Sequence, residues 1–176
     1  MKKALIISAF AGCGKTWLVE NQERFKYSMR DSDSSTYKKT EGWEKRYVEN
    51  ILQQANSGNY DFIFMCQTES VLKEMDAQEL PYVIVEPDNI IWNELETAER
   101  KKQRQLIKQQ WMGRLDERTS LDFINRHKPV SFFVLNQDQY LSDIIDDLYW
   151  KKESNSSFTC YSDSKLTEMN LFNPAH

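Results

Sequence analysis

The segment Ala9-Phe10-Ala11-Gly12-Cys13-Gly14-Lys15-Thr16 restricts this chain more than any other stretch of it. It follows an apolar run, Ala4-Leu5-Ile6-Ile7, and precedes a helix-compatible stretch, Trp17-Leu18-Val19-Glu20. Strand, glycine-bearing loop and helix in that order make a phosphate-binding loop. Gly12 and Gly14 let the backbone curl so that successive N–H groups turn inward on a polyphosphate. Lys15 carries a positive charge that reaches the β- and γ-phosphates, and the Thr16 hydroxyl is placed to ligate Mg²⁺. A helix opening near Lys15 adds the favourable end of its dipole. The expected donor-binding set is therefore Ala11, Gly12, Cys13, Gly14, Lys15, Thr16 and Trp17, with ATP and Mg²⁺ as ligands. Ala9 stands where a strict pattern has glycine, and its small side chain still fits.

Two other readings compete. A short pattern with few fixed positions recurs by chance in unrelated chains. Met1-Lys2-Lys3, an apolar run and Cys13 also mimic a lipoprotein signal peptide. Phe10, three residues before the cysteine, is the wrong kind of residue for that signal, and cleavage there would separate the loop from its strand.

The chain has 176 residues, of which 40% are hydrophobic and 12% aromatic, enough for one domain with a sheet covered on both faces. A net charge of −4 offers no long-range attraction to nucleic acid. No segment after the first approaches a membrane-spanning length. Cys13, Cys66 and Cys160 are an odd count without metal-ligand spacing, which suits a reducing cytoplasm. Two histidines cannot assemble a metalloenzyme or a Ser/His/Asp arrangement.

Five apolar runs read as strands: 3–9, 25–29, 62–66, 82–85 and 130–135. Helical patterns lie between them, at 17–22, 42–56, 68–75, 89–112 and 121–125, and a last helix reaches Trp150 from Asp138 or Ser142. Alternation of this kind predicts an α/β fold with a parallel sheet. Residues 1–150 form one domain, with a basic lid at about 100–120, and 151–176 form a polar tail.

A second chemical site follows the second strand, at Arg30-Asp31-Ser32-Asp33-Ser34-Ser35. In an open α/β sheet this strand end shares a rim with the phosphate loop, where ligands collect. Asp31 and Asp33 could hold Mg²⁺ or act as general base on an acceptor hydroxyl, with Arg30 as a phosphate contact. Asp33 ranks above Asp31 for catalysis, and Asp31 joins Thr16 as a metal candidate. The plain alternative is a turn whose Asp and Ser side chains satisfy their own backbone. Position behind the loop strand favours the functional reading.

Arg114 and Arg118 flank the break at Gly113 and share a helical face, so they are the candidates to stabilise charge on a transferring phosphoryl group. An ordinary surface pair is the alternative, as it is for Arg100–Lys108, which interleave with glutamates. Trp43 and Tyr47, one turn apart, are candidates to stack on a nucleobase, although such a stripe more often builds core. The third strand runs into Cys66-Gln67-Thr68-Glu69 and lacks the terminal aspartate that organises Mg²⁺ in many such sheets. Glu69, Glu86 or the Asp31/Asp33 pair are the possible substitutes, while Asp61 lies at the wrong end of the strand.

With these pieces placed, the chain resembles small nucleoside/nucleotide kinase-like P-loop proteins of bacteriophages and prophages, over about residues 2–147. The resemblance is carried by the loop, Asp31-Ser32-Asp33-Ser34-Ser35, Tyr82-Val83-Ile84-Val85-Glu86-Pro87, Gly113-Arg114 and Gln139-Tyr140-Leu141-Ser142-Asp143. It implies the three-layer P-loop NTPase fold with five parallel strands in the order 2-3-1-4-5, ATP on the loop and a nucleoside monophosphate-like acceptor. Met29-Arg30-Asp31-Ser32-Asp33 is also similar to the Arg-Asp-Asp turn of phage polynucleotide kinases, where an aspartate activates a 5′-hydroxyl. The acidic net charge argues against long nucleic acid as substrate. A nucleotide-binding module without transfer is the third reading.

Overall fold

The computed structural model describes residues 3–37, 40–87, 102, 106, 109, 111–115, 133–136 and 138–154, with backbone alone at 133, 134 and 151–154. Strands β1 (Leu5–Ala9), β2 (Met29–Asp31), β3 (Phe62–Met65), β4 (Val83–Pro87) and β5 (Phe133–Leu135) alternate with helices α1 (Lys15–Glu20), α2 (Trp43–Asn56), α3 (Glu69–Ala77) and α4 (Leu141–Ser154). The expected α/β class and parallel sheet are present. All pairings are parallel, and the sheet order is β2-β3-β1-β4-β5.

Side-chain alternation along the strands divides the core in two. Leu5, Ile7 and Ala9 of β1 and Phe62 and Phe64 of β3 join Val83 and Val85 against Leu18 of α1 and Leu141, Ile145 and Leu148 of α4. Ala4, Ile6, Ile63 and Met65 face the other way, against Tyr47, Val48 and Ile51 of α2 and Val71 and Met75 of α3. Strands buried on both faces are nearly continuous apolar runs rather than alternating, as β3 is and as β1 is but for the buried Ser8. Each fully buried Leu, Ile or Phe contributes roughly 1.5–3 kcal/mol, so these two clusters hold the layers together.

The second strand lies later than the sequence suggested. Residues 25–27 are bends, and β2 begins at Met29, where pairing with Phe62 becomes possible. Phe25 and Tyr27 were apolar for another reason: they pack into the cluster under α4, with Tyr27 edge-on to Phe62 and hydrogen-bonded to Asp146. Thr68 does stand before α3 but makes no side-chain cap; its hydroxyl turns to the Cys66 sulfur at 3.5 Å. α4 opens after Tyr140, whose N–H donates to the Asp143 carboxylate at 2.7 Å, and runs past the expected end to Ser154. The expected helix at 121–125, most of the 89–112 helix and lid, strand residues 130–132, and tail residues 155–176 lie outside the described residues.

Candidate phosphoryl-transfer site

The glycine-bearing loop leaves β1 and turns straight into α1. Gly12 and Gly14 have φ of +82° and +88°, a left-handed conformation that costs other residues roughly 1–2 kcal/mol. Close approach adds a second reason for glycine. A Cβ on Gly12 would meet Trp111 Nε1, Arg114 Cβ and Leu115 Cδ2 at 3.3 Å, and one on Gly14 would meet the Tyr140 ring at 3.2 Å. Gly14 occupies the N-cap of α1 with no side chain closing the helix end. The first amides of α1 have no carbonyl within the helix to receive them.

Lys15 reaches back across the loop. Its Nζ donates to the Ala9 carbonyl at 2.7 Å and the Phe10 carbonyl at 3.1 Å. An ammonium has three protons, so the two bonds that brace the loop leave one direction for an anion. Cys13 is fully buried beneath the loop, its Sγ 3.9 Å from the Val85 carbonyl. Burial pushes its thiol up to about 12, against a lesser opposing pull from Lys15. Cys13 is therefore a small filler, as its sequence position suggests, and an inert one. Its carbonyl accepts the Leu141 N–H at 2.9 Å and fastens α4 to the loop.

The β2 end lies across from Lys15, and Asp31 lines the same cleft. Thr16 Oγ1 donates to Asp31 Oδ2 at 2.9 Å. Burial raises the Asp31 pKa, Lys15 and the Thr16 hydroxyl pull it back, and Asp33 pushes it up further. Asp33 does different work. Its carboxylate accepts from the Ser35 N–H at 2.8 Å and the Ser35 hydroxyl at 2.5 Å, capping the short turn Ser34–Thr36. The turn reading and the cleft position thus both hold for Asp33. Asp31 is the carboxylate beside Lys15 and Thr16.

Three sequence candidates require correction. Arg30 is not at the phosphate: alternation along β2 sends it to the opposite face from Asp31, where its guanidinium bonds the Tyr60 hydroxyl at 3.2 Å. Trp43 and Tyr47 do not line the cleft and cannot stack on a base there, because the apolar stripe of α2 is turned into the core. Tyr47 nevertheless supports the site. Its buried hydroxyl donates to the Ser32 carbonyl at 2.6 Å and accepts the Cys66 N–H at 3.3 Å. Burial raises the Tyr47 pKa, so it remains a neutral phenol.

The cleft has a volume of about 670 Å³ and runs from Gly12, Gly14, Lys15 and Thr16 to Asp31–Ser34. Trp17 lines it while 47% exposed, with the Arg24 guanidinium 5.8 Å from its ring centroid. Ala11 lines it too, and its carbonyl accepts the Trp111 indole N–H at 3.2 Å. Arg114 is sandwiched between Trp111 and Tyr140, 4.6 and 4.0 Å from their ring centroids, and bonds the Gln139 carbonyl at 2.8 Å. Arg118 lies outside the described residues. Sequence reasoning gave Trp111 and Tyr140 no role. The signal for Tyr140 was its place just after β5, on the rim where ligands collect.

Of the acids offered in place of the missing strand-end aspartate, Asp31 accepts the Thr16 hydroxyl. Glu86 is fully buried and accepts from the Gln67 amide at 2.9 Å; Glu69 pairs with Lys73 at the surface; Asp61 binds the Ser28 N–H and hydroxyl. Among the described residues no helix is long and apolar enough to cross a membrane. No known family, curated protein or solved structure matches this chain.

Proposed function

We propose that the chain is an ATP-dependent phosphotransferase that moves a phosphoryl group to a small nucleoside or nucleotide acceptor. The carrying observation is the Thr16–Asp31 contact beside a Lys15 already braced to the loop. Two oxygen ligands on adjacent corners of a Mg²⁺ octahedron, at about 2.0–2.1 Å from the ion, lie about 2.9 Å apart. The Thr16 and Asp31 oxygens are 2.9 Å apart, so the donor set fits Mg²⁺ held with the donor phosphates. Mg²⁺ would supply charge neutralisation on the β- and γ-phosphate oxygens.

The remaining work belongs to the chain. Lys15 and the amides of the loop bind and orient the polyphosphate. Arg114, held between the Trp111 and Tyr140 rings, places a cation in the cleft beside the loop. Asp33 faces the acceptor end of the cleft. The sheet order and the two-sided helix layers agree with the three-layer P-loop NTPase fold that the resemblance implies.

A second reading, nucleotide binding without transfer, is favoured by Gln67 standing where a strand-end acid is expected. Calorimetry with ATP and Mg²⁺, followed by transfer of γ-labelled phosphate to an acceptor panel, separates the two. We expect binding that is lost in Lys15→Ala and loses its Mg²⁺ dependence in Asp31→Asn, and labelled acceptor. Binding with no labelled acceptor supports the second reading, and undiminished binding by Lys15→Ala defeats both.

A further inference from the structure

The two ends of the cleft differ in charge. Among the described residues that line it, the cations are Lys15 and Arg114, and both adjoin the phosphate loop. The β2 end supplies Asp31, Ser32, Asp33 and Ser34. Arg30, the basic residue of that strand, is held on the opposite face by Tyr60. With Asp31 committed to Mg²⁺, a dianionic acceptor phosphate seated here would face the Asp33 carboxylate, and like charges at short range are mutually destabilising. An alcohol would meet hydrogen-bond acceptors instead.

Trp17 supplies the second, independent observation. It follows Thr16 directly, lies in the cleft wall and leaves nearly half its surface exposed, with Arg24 against the ring. An exposed indole in a polar cleft is a stacking surface for a planar ring. Tyr140, the other exposed aromatic lining the cleft, is taken up by Arg114 on the loop side.

Resting on the phosphotransferase reading, we infer that the acceptor is the hydroxyl of an uncharged nucleoside, its base stacked on Trp17, and not a nucleoside monophosphate. The hydroxyl oxygen forms a bond to the γ-phosphorus of ATP while the bond from that phosphorus to the β-bridging oxygen breaks. ADP leaves, the nucleoside monophosphate forms, and the hydroxyl proton passes to the Asp33 carboxylate and then to solvent.

The test combines binding and transfer on the full chain. Calorimetric titration with nucleosides and with their monophosphates, at saturating non-hydrolysable ATP analogue and Mg²⁺, should show nucleosides binding at least ten-fold more tightly. Trp17→Ala should weaken the nucleoside on the order of ten-fold, with Trp17→Phe largely restoring it. Asp33→Asn should narrow the gap by improving monophosphate binding several-fold. Labelled phosphate from ATP should appear on nucleosides. Monophosphates bound or phosphorylated in preference, label only on oligonucleotide ends or on alcohols without a ring, or indifference to Trp17→Ala would each overturn the inference. Failure of the analogue itself to bind would instead defeat the phosphotransferase reading beneath it.

Discussion

The two walls of the cleft are built in opposite ways. On the loop wall, residues 9–17 are consecutive, and their geometry follows from two left-handed glycines and a lysine reaching back five and six residues. On the acceptor wall, residues 31–34 are held by groups far along the chain. The Ser32 N–H donates to the Phe64 carbonyl at 2.8 Å, and the Ser32 carbonyl accepts from the Tyr47 phenol at 2.6 Å. The loop wall takes its backbone shape locally, although the Ala11 and Cys13 carbonyls also bond Trp111 and Leu141 far along the chain. The acceptor wall exists only once α2 and β3 have packed. On the proposed reading, donor recognition draws mainly on a short motif, while acceptor recognition depends on the assembled domain.

The sharpest way to break this contrast is at Lys15. Lys15→Ala removes two loop-bracing bonds and the phosphate contact, each charge-assisted and worth roughly 1.5–3 kcal/mol. ATP affinity should fall at least a hundred-fold by calorimetry, with the far-ultraviolet circular dichroism unchanged. Retention of affinity would mean that the loop is not the donor site.

Tyr47→Phe tests the other wall. It leaves the Ser32 carbonyl and the Cys66 amide without the phenol, at a cost of about 1–3 kcal/mol in urea unfolding. Binding of ATP should change little and acceptor turnover should drop, because the loop wall does not need Tyr47. An equal loss of both would show that the walls are not independent.

Asp31 sits between the walls, and its titration gives a smaller effect. Burial raises its pKa above the unfolded value, so the folded protein keeps this proton to higher pH. Its favourable contribution is therefore full below the unfolded pKa and declines as pH rises through the folded pKa. Thermal unfolding from pH 3 to 7 should show Asp31→Asn gaining on the parent as pH rises, and Mg²⁺ with ATP should close that gap. A gap that is flat with pH would show Asp31 to be well solvated.

The smallest expected signal is a null one at Cys13. With its thiol pushed up to about 12 by burial, iodoacetamide at pH 8 should leave Cys13 unmodified in the native protein and label it in urea. Rapid native labelling would mean that the loop opens readily from the Val85 side.

The α/β class, the parallel strands and most helix positions were readable because fully buried strands are continuous apolar runs and helices carry a three-to-four-residue stripe. The start of β2 was misread because Phe25 and Tyr27 are apolar for packing under α4, and composition does not distinguish a buried bend from a strand. Trp43 and Tyr47 were candidates for the cleft beside the core reading that the structure bears out, because a stripe tells that a helix has a buried face without telling what covers it.

By itself the sequence determined the loop, since glycine at left-handed positions and a lysine reaching back five and six residues act locally. Only the tertiary structure decided which carboxylate meets Thr16, that Arg30 turns away, that Tyr47 props the acceptor turn, and that Arg114 lies between Trp111 and Tyr140. The physical reason is separation along the chain: apart from Trp111 and Arg114, those groups are 15 to 30 residues apart, and a sheet order, not a local dihedral angle, brings them within hydrogen-bond or stacking distance.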